Sequence, residues 1–177
     1  SADGIPLGAT INYRKFKTLF LDTGLASASL GLQMDVEWKN TDLILVNKGA
    51  IAEQVTGQLL RTAQAAYSEP SLHYWARDKK GSEAEVDYLI QCGMNIVPIE
   101  VKSGSTGSMK SLHSLMSLKN LSHAIRINTD LPSLVEVKVK TTQSKKVNYT
   151  LLSLPIYMTE QAKSLAQEML ELSAEEK

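Results

Sequence analysis

Asp87 stands thirteen residues ahead of Glu100-Val101-Lys102, and these side-chain types suit phosphodiester chemistry. Paired carboxylates can hold a divalent cation, and a nearby ammonium can neutralise charge developing on a phosphate. The geometry depends on strands. Residues 84–90 and 96–102 concentrate β-branched and aromatic residues on either side of Gln91-Cys92-Gly93-Met94-Asn95, the pattern of a hairpin. Side chains alternate along a strand, so Glu100 and Lys102 share one face while Ile99 and Val101 share the other. Pairing of the two strands sets Asp87 beside that polar face. Taken alone, the same pattern is most often that of a solvated strand face carrying an ion pair.

The elements that must position these residues follow from periodicity. Residues 12–32 carry Phe16, Leu19, Phe20, Leu25 and Leu30 at helical spacing, with Gly31 as a stop, and predict a helix broken near Gly24. Residues 35–46 fit no single pattern. A second helix is expected from Gly49 to about Tyr67, with Ile51, Val55, Leu59 and Leu60 as its buried stripe and Pro70 ending it. Residues 71–77 read as a strand and residues 78–82 as a polar turn, after which the two motif strands follow. The spacing of Met109, Leu112, Leu115, Met116 and Leu118 predicts a helix over 103–120. Strands are expected at 123–128, at 134–140, where Val135, Val137 and Val139 alternate with Glu136, Lys138 and Lys140, and at 147–154. A terminal helix over 159–173 takes Thr159 as its cap and buries Ala162, Leu165, Ala166, Met169 and Leu170. The fold class is therefore α/β (α+β): a mixed central sheet flanked by helices, with extra N-terminal helices and a C-terminal helix.

Composition sets the bounds. A chain of 177 residues with 43% hydrophobic and 21% charged content is expected to be one domain over 1–177. No apolar run approaches the roughly 20 residues that span a bilayer, and the start has neither the basic residues nor the apolar stretch of a signal peptide. A cytoplasmic location without membrane association is expected. The chain begins with Ser1, as expected of a fragment of something longer. Its one cysteine, Cys92, excludes an internal disulfide and a cysteine-built zinc site. The net charge is +0, which argues against strong unaided binding to duplex DNA, because affinity comes from neutralised phosphates. Nucleic-acid contact requires focusing by the fold or help from a partner.

Further segments carry a resemblance. Pro6-Leu7-Gly8 leads into Lys15-Phe16-Lys17-Thr18-Leu19-Phe20-Leu21-Asp22-Thr23-Gly24-Leu25. Lys48-Gly49-Ala50-Ile51-Ala52-Glu53-Gln54 follows, then Tyr74-Trp75-Ala76-Arg77 before Glu85-Val86-Asp87. With the Asp…Glu-x-Lys set, these segments resemble the uncharacterised C-terminal domain of bacterial and archaeal AAA-type P-loop ATPases. That domain is regarded as a restriction-endonuclease-like member of the PD-(D/E)xK nuclease superfamily. The resemblance runs from about Pro6 to Lys140.

It implies a core order αβββαβ and a nuclease-like domain with an ATPase domain in the same full-length chain. It also implies magnesium or manganese as cofactor, nucleic acid as substrate, and no nucleotide site on this piece. Asp87, Glu100 and Lys102 fall on the catalytic positions. Asp87, Glu100 and Glu53 fall on the metal-holding ones; Glu85, two residues before Asp87 and on the same strand face by alternation, is expected as a supporting acid behind them. The alternative is a catalytically inactive module that keeps the nuclease scaffold and binds or regulates the ATPase or a partner.

Other candidates are weaker. Ser103, Gly104 and Lys110 lie where a phosphate loop could form between a strand and a helix, but the Walker A spacing is missing and a capped Gly/Ser turn is the simpler reading. Anion contact through free amides is the remaining role for that loop. His73, His113 and His123 lack ligand spacing, Cys92 has no nucleophilic partner, and Trp38 and Trp75 read as packing residues.

Overall fold

Apolar residues occupy both faces of the central strands, so a covering layer is required on each side. The computed structural model describes residues 4–31, 41–78, 83–104, 107–141 and 144–175, with the backbone alone for 41–47. Within these residues the elements run α1 (Thr23–Ser29), α2 (Thr41–Thr62), β1 (His73–Arg77), β2 (Ala84–Cys92) and β3 (Asn95–Val101). There follow α3 (Lys110–Lys119), β4 (His123–Asn128), β5 (Ser133–Lys140), β6 (Lys146–Pro155), a 3-10 turn (Ile156–Gln161) and α4 (Ala162–Glu175). The protein is a mixed α+β fold whose six-stranded sheet has the order β1-β2-β3-β4-β6-β5. Pairing is antiparallel through β1, β2 and β3, parallel from β3 to β4 and β4 to β6, and antiparallel again for β5 on β6.

Two cores lie on the two faces. On one, Leu112, Leu115 and Met116 of α3 pack with Trp75, Val86, Leu89, Ala124, Tyr149 and Leu151. On the other, Leu60 of α2 and Ala162 and Ala166 of α4 meet Tyr88, Val97, Ile99, Val101, Ile125 and Leu154. Ile99 and Ile125 are fully buried there, each contributing about 1.5–3 kcal/mol of hydrophobic stabilisation. Trp75 is a core residue, as its sequence context suggests. The hairpin of β2 and β3 closes between Cys92 and Asn95, with Gly93 at φ +59°, a conformation that favours glycine.

Strand β2 contains an irregularity that matters for the site. His73 pairs with Leu89 while Trp75 pairs with Val86, so β2 spends one more residue than β1 between those pairs. This is a β-bulge, with Asp87 and Tyr88 together opposite Tyr74. Val86 and Leu89 consequently face α3, while Tyr88 faces α2.

Several boundaries differ from those expected. The helix expected over 12–32 is confined to Thr23–Ser29. Residues 15–20 have no regular secondary structure and run alongside α2, which supplies their backbone partners: Gln54 Nε2 donates to the Thr18 carbonyl (2.8 Å), and Gln54 Oε1 accepts from the Phe20 N–H (2.9 Å). Gln58 Nε2 donates to the Phe20 carbonyl (3.0 Å). The apolar spacing there was not that of a buried helix, since Phe16, Leu25 and Leu30 are each more than 70% exposed.

Helix α2 begins at Thr41 and ends at Thr62, short of Tyr67, and its buried line is Thr56, Gly57 and Leu60. Helix α3 starts only at Lys110. Thr159 caps nothing; it is buried in the 3-10 turn and its hydroxyl donates to the Ile156 carbonyl. Trp38, the unassigned stretch before residue 41 and most of the turn at 78–82 lie outside the described residues. Among the described residues, no helix is long and apolar enough to cross a membrane.

Candidate functional site

Glu53 sits three and four residues before Thr56 and Gly57 on α2, on the helix line that faces the sheet. Gly57 makes the close approach possible. A Cβ there would fall against the Tyr88 hydroxyl and within 2.6 Å of Leu19 Cδ1. The Tyr88 hydroxyl donates to the Glu53 carbonyl (2.8 Å), fixing helix to strand at the level of the acid. The bulge gives Asp87 and Tyr88 the same face, and Glu85, opposite in direction to Val86, joins them. Glu53, Glu85 and Asp87 each bring a carboxylate oxygen within 4.8 Å of the others.

Asp87 is held in the opening between β2 and β3. The β2–β3 register runs up to Tyr88 and Ile99; beyond it the Val101 N–H donates to Asp87 Oδ2 (2.7 Å). Burial raises the Asp87 carboxyl above its ordinary range. The Val101 hydrogen bond opposes the rise, the Glu53 charge adds to it, and Lys17 and Lys102 counter it.

Lys17 completes this group. Its Nζ lies 2.7 Å from Glu53 Oε1, 2.8 Å from Glu85 Oε1 and 3.6 Å from Asp87 Oδ1. It also stands over the rings of Tyr74 (5.2 Å) and Tyr88 (6.0 Å), a cation–π setting. Burial lowers its pKa, but hydrogen bonds to Glu53 and Glu85 and the charges of Glu53 and Asp87 outweigh that, and the net shift is upward. A groove of about 380 Å³ opens beside it, lined among others by Phe16, Tyr74 and Asp87.

Glu100 and Lys102 form a separate pair. Glu100 follows Ile99 and precedes Val101, both of which face α2 and α4, so its side chain points to the α3 face, beside Arg126 across the strand pair. Lys102 Nζ binds Glu100 Oε1 at 2.6 Å. Glu100 is only 5% exposed, and burial together with the Asp87 charge pushes its carboxyl up to about 7, against the pull of Lys102 and Lys17. Asp87 thus stands between two groups. It belongs to the Glu53–Glu85–Lys17 cluster by distance and is coupled to the Glu100–Lys102 pair by charge.

Of the residues singled out from sequence, Glu53 and Asp87 come together, and Glu85 joins them as an equal member. Glu100 lies outside this close group, and Lys102 is bound to it. The loop candidates are dispersed: Ser103 and Lys110 are exposed, and Gly104 is half-buried. Among the described residues of that loop, Gly107 is closely packed: a Cβ there would come within 2.8 Å of Lys102 Cδ. The residue missed was Lys17, because the apolar spacing around it imitated a helix. The available signal was the alternation of Lys15 and Lys17 with Phe16, which is that of an extended segment.

Three carboxylates suit a hard divalent cation, which prefers oxygen ligands. The residues fit such an ion, provided Lys17 gives way. A family model described as a domain of unknown function (DUF4143) matches residues 48–166. This stretch takes in all four acids and Lys102 but not Lys17. No curated protein matches the chain.

Proposed function

The chain belongs to the DUF4143 family of domains of unknown function, and we propose that it is a nuclease-like domain of the restriction-endonuclease type. On this reading it works in one full-length protein with an AAA-type ATPase domain and hydrolyses phosphodiesters of nucleic acid with magnesium or manganese. The observation that supports it is the convergence of Glu53, Glu85 and Asp87 within 4.8 Å, with Glu100 and Lys102 on the adjoining strand. A bound divalent cation would polarise the phosphate and lower the pKa of a water. Asp87, clamped by the Val101 N–H, orients the acid group. Glu53 and Glu85 supply the remaining charge. Lys102, 2.6 Å from Glu100, would supply a further positive charge beside the acids.

Thermal unfolding with and without manganese tests the reading. Wild type is expected to gain several degrees at saturating metal, and Asp87→Asn to lose that gain. Metal-dependent cleavage of a labelled oligonucleotide should disappear in the same variant. No metal-induced shift in wild type would remove the enzymatic reading.

A second reading, the catalytically inactive module that binds or regulates the ATPase or a partner, is favoured by the lysine pairing. Lys17 already neutralises part of the acid group and Lys102 part of Glu100. The net charge of +0 also offers little unaided grip on nucleic acid.

A further inference from the structure

Lys17 does not reach the acids as a freely moving side chain. The segment that carries it is tied to α2 on the C-terminal side by Gln54 and Gln58, through three hydrogen bonds of 2.8–3.0 Å to Thr18 and Phe20. Ahead of it, Lys15 pairs with Asp78. Leu19 seats against Gly57, where no Cβ could stand without displacing it. These contacts fix the backbone on both sides of Lys17, so the ammonium is delivered to one place: between Glu53, Glu85 and Asp87.

That is the place a divalent cation would occupy. The ammonium carries a single charge against three carboxylates, so it satisfies the cluster only in part. A doubly charged ion balances more of it. The two cannot share the space, because oxygen ligands of a metal must close to about 2.0–2.6 Å, whereas the same oxygens now converge on Nζ. The strap is also poorly buried on its outer side, where Phe16 is 78% and Phe20 46% exposed. Few apolar contacts would therefore be lost if it lifted.

We propose that residues 15–20 form a regulatory strap whose Lys17 ammonium competes with a divalent cation for the carboxylates of Glu53, Glu85 and Asp87. The proposal rests on the reading of those acids as a cation site. Cation entry requires Lys17 to leave, and the Gln54 and Gln58 hydrogen bonds set how readily it does. If the strap is open in a tenth of molecules or fewer, the measured cation affinity is lowered at least about tenfold by that fraction. A partner that draws off the exposed side of the strap would raise cation affinity without touching an acid.

The test is manganese binding by calorimetry to wild type, Lys17→Met and the double variant Gln54→Ala/Gln58→Ala. Lys17→Met should bind manganese about tenfold tighter or better. The glutamine variant, which keeps every charge of the site, should also tighten binding, by a smaller factor. It preserves the test if removal of Lys17 leaves the acids too repulsive for folding. In wild type, labelling of Lys17 by acetic anhydride should rise when manganese is added.

Manganese binding to wild type that is unchanged or weakened in both variants overturns the strap and leaves the cation reading standing. No manganese binding to any of the three proteins overturns the cation reading and the strap with it.

Discussion

Glu100 is a buried acid whose ionisation the fold opposes. It lies 5% exposed beside Arg126 and Lys102, and burial followed by the Asp87 charge raises its carboxyl from 4.5 to about 7. A group that holds its proton more tightly folded than unfolded contributes stability below its unfolded pKa and loses it as pH rises through the folded one. The window therefore runs from 4.5 to about 7. Glu100→Gln imitates the protonated form. It is expected to gain about 1–3 kcal/mol over wild type at alkaline pH and almost nothing at acidic pH. Urea midpoints at the two ends of the window check this, and an equal change at both would refute it. Asp87 moves the same way: burial and the Glu53 charge raise its carboxyl, and the Val101 N–H, Lys17 and Lys102 oppose the rise.

At the scale of elements, α2 and β2 are registered through one missing side chain. Gly57 leaves room for the Tyr88 hydroxyl and Leu19, so Gly57→Ala is expected to destabilise by about 1–3 kcal/mol through overpacking. Gly49, on the same helix, faces open space, and Gly49→Ala should instead gain up to about 1 kcal/mol. Opposite signs in denaturant titrations of the pair check the argument.

The hairpin was legible in the sequence because Gly93 and the β-branched runs around it leave little alternative. The alternation of β5 and the apolar stripe of α4 were legible for similar reasons. The strap was not, since its order comes from glutamine side chains thirty-odd positions away. The bulge was not either: nothing in Val86-Asp87-Tyr88-Leu89 announces that two neighbours will share a face. Asp87 and Glu53 could be singled out from the sequence, but Lys17 between them depends on that hidden geometry.

The whole molecule is electrically balanced, at +0, yet its charges are arranged in pairs around the site. Lys15 meets Asp78, Lys17 meets three acids, and Lys102 meets Glu100. Few of these cations are left to neutralise phosphates. The domain alone is therefore expected to bind duplex DNA with a Kd weaker than about 10⁻⁴ M at physiological salt. Fluorescence anisotropy across a salt series checks this, and micromolar affinity from the isolated domain would show that no partner is needed. The sheet sets where such a partner can act. The α2 side carries the strap and the groove beside it, whereas the opposite edge ends in β5, whose Leu134 and Val135 are about half exposed.

The bulge in β2 makes Asp87 a supernumerary residue. Strike it from the strand and Ala84, Glu85, Val86, Tyr88 and Leu89 alternate without interruption, each keeping the face it has now. The sheet would be more regular for the loss, because the extra residue interrupts pairing that the flanking residues could otherwise make. Apolar packing therefore gives no reason for an Asp at this point, where its carboxylate takes up the Val101 N–H that the interrupted ladder leaves over. The one carboxylate that joins both charged groups is the one the architecture could do without.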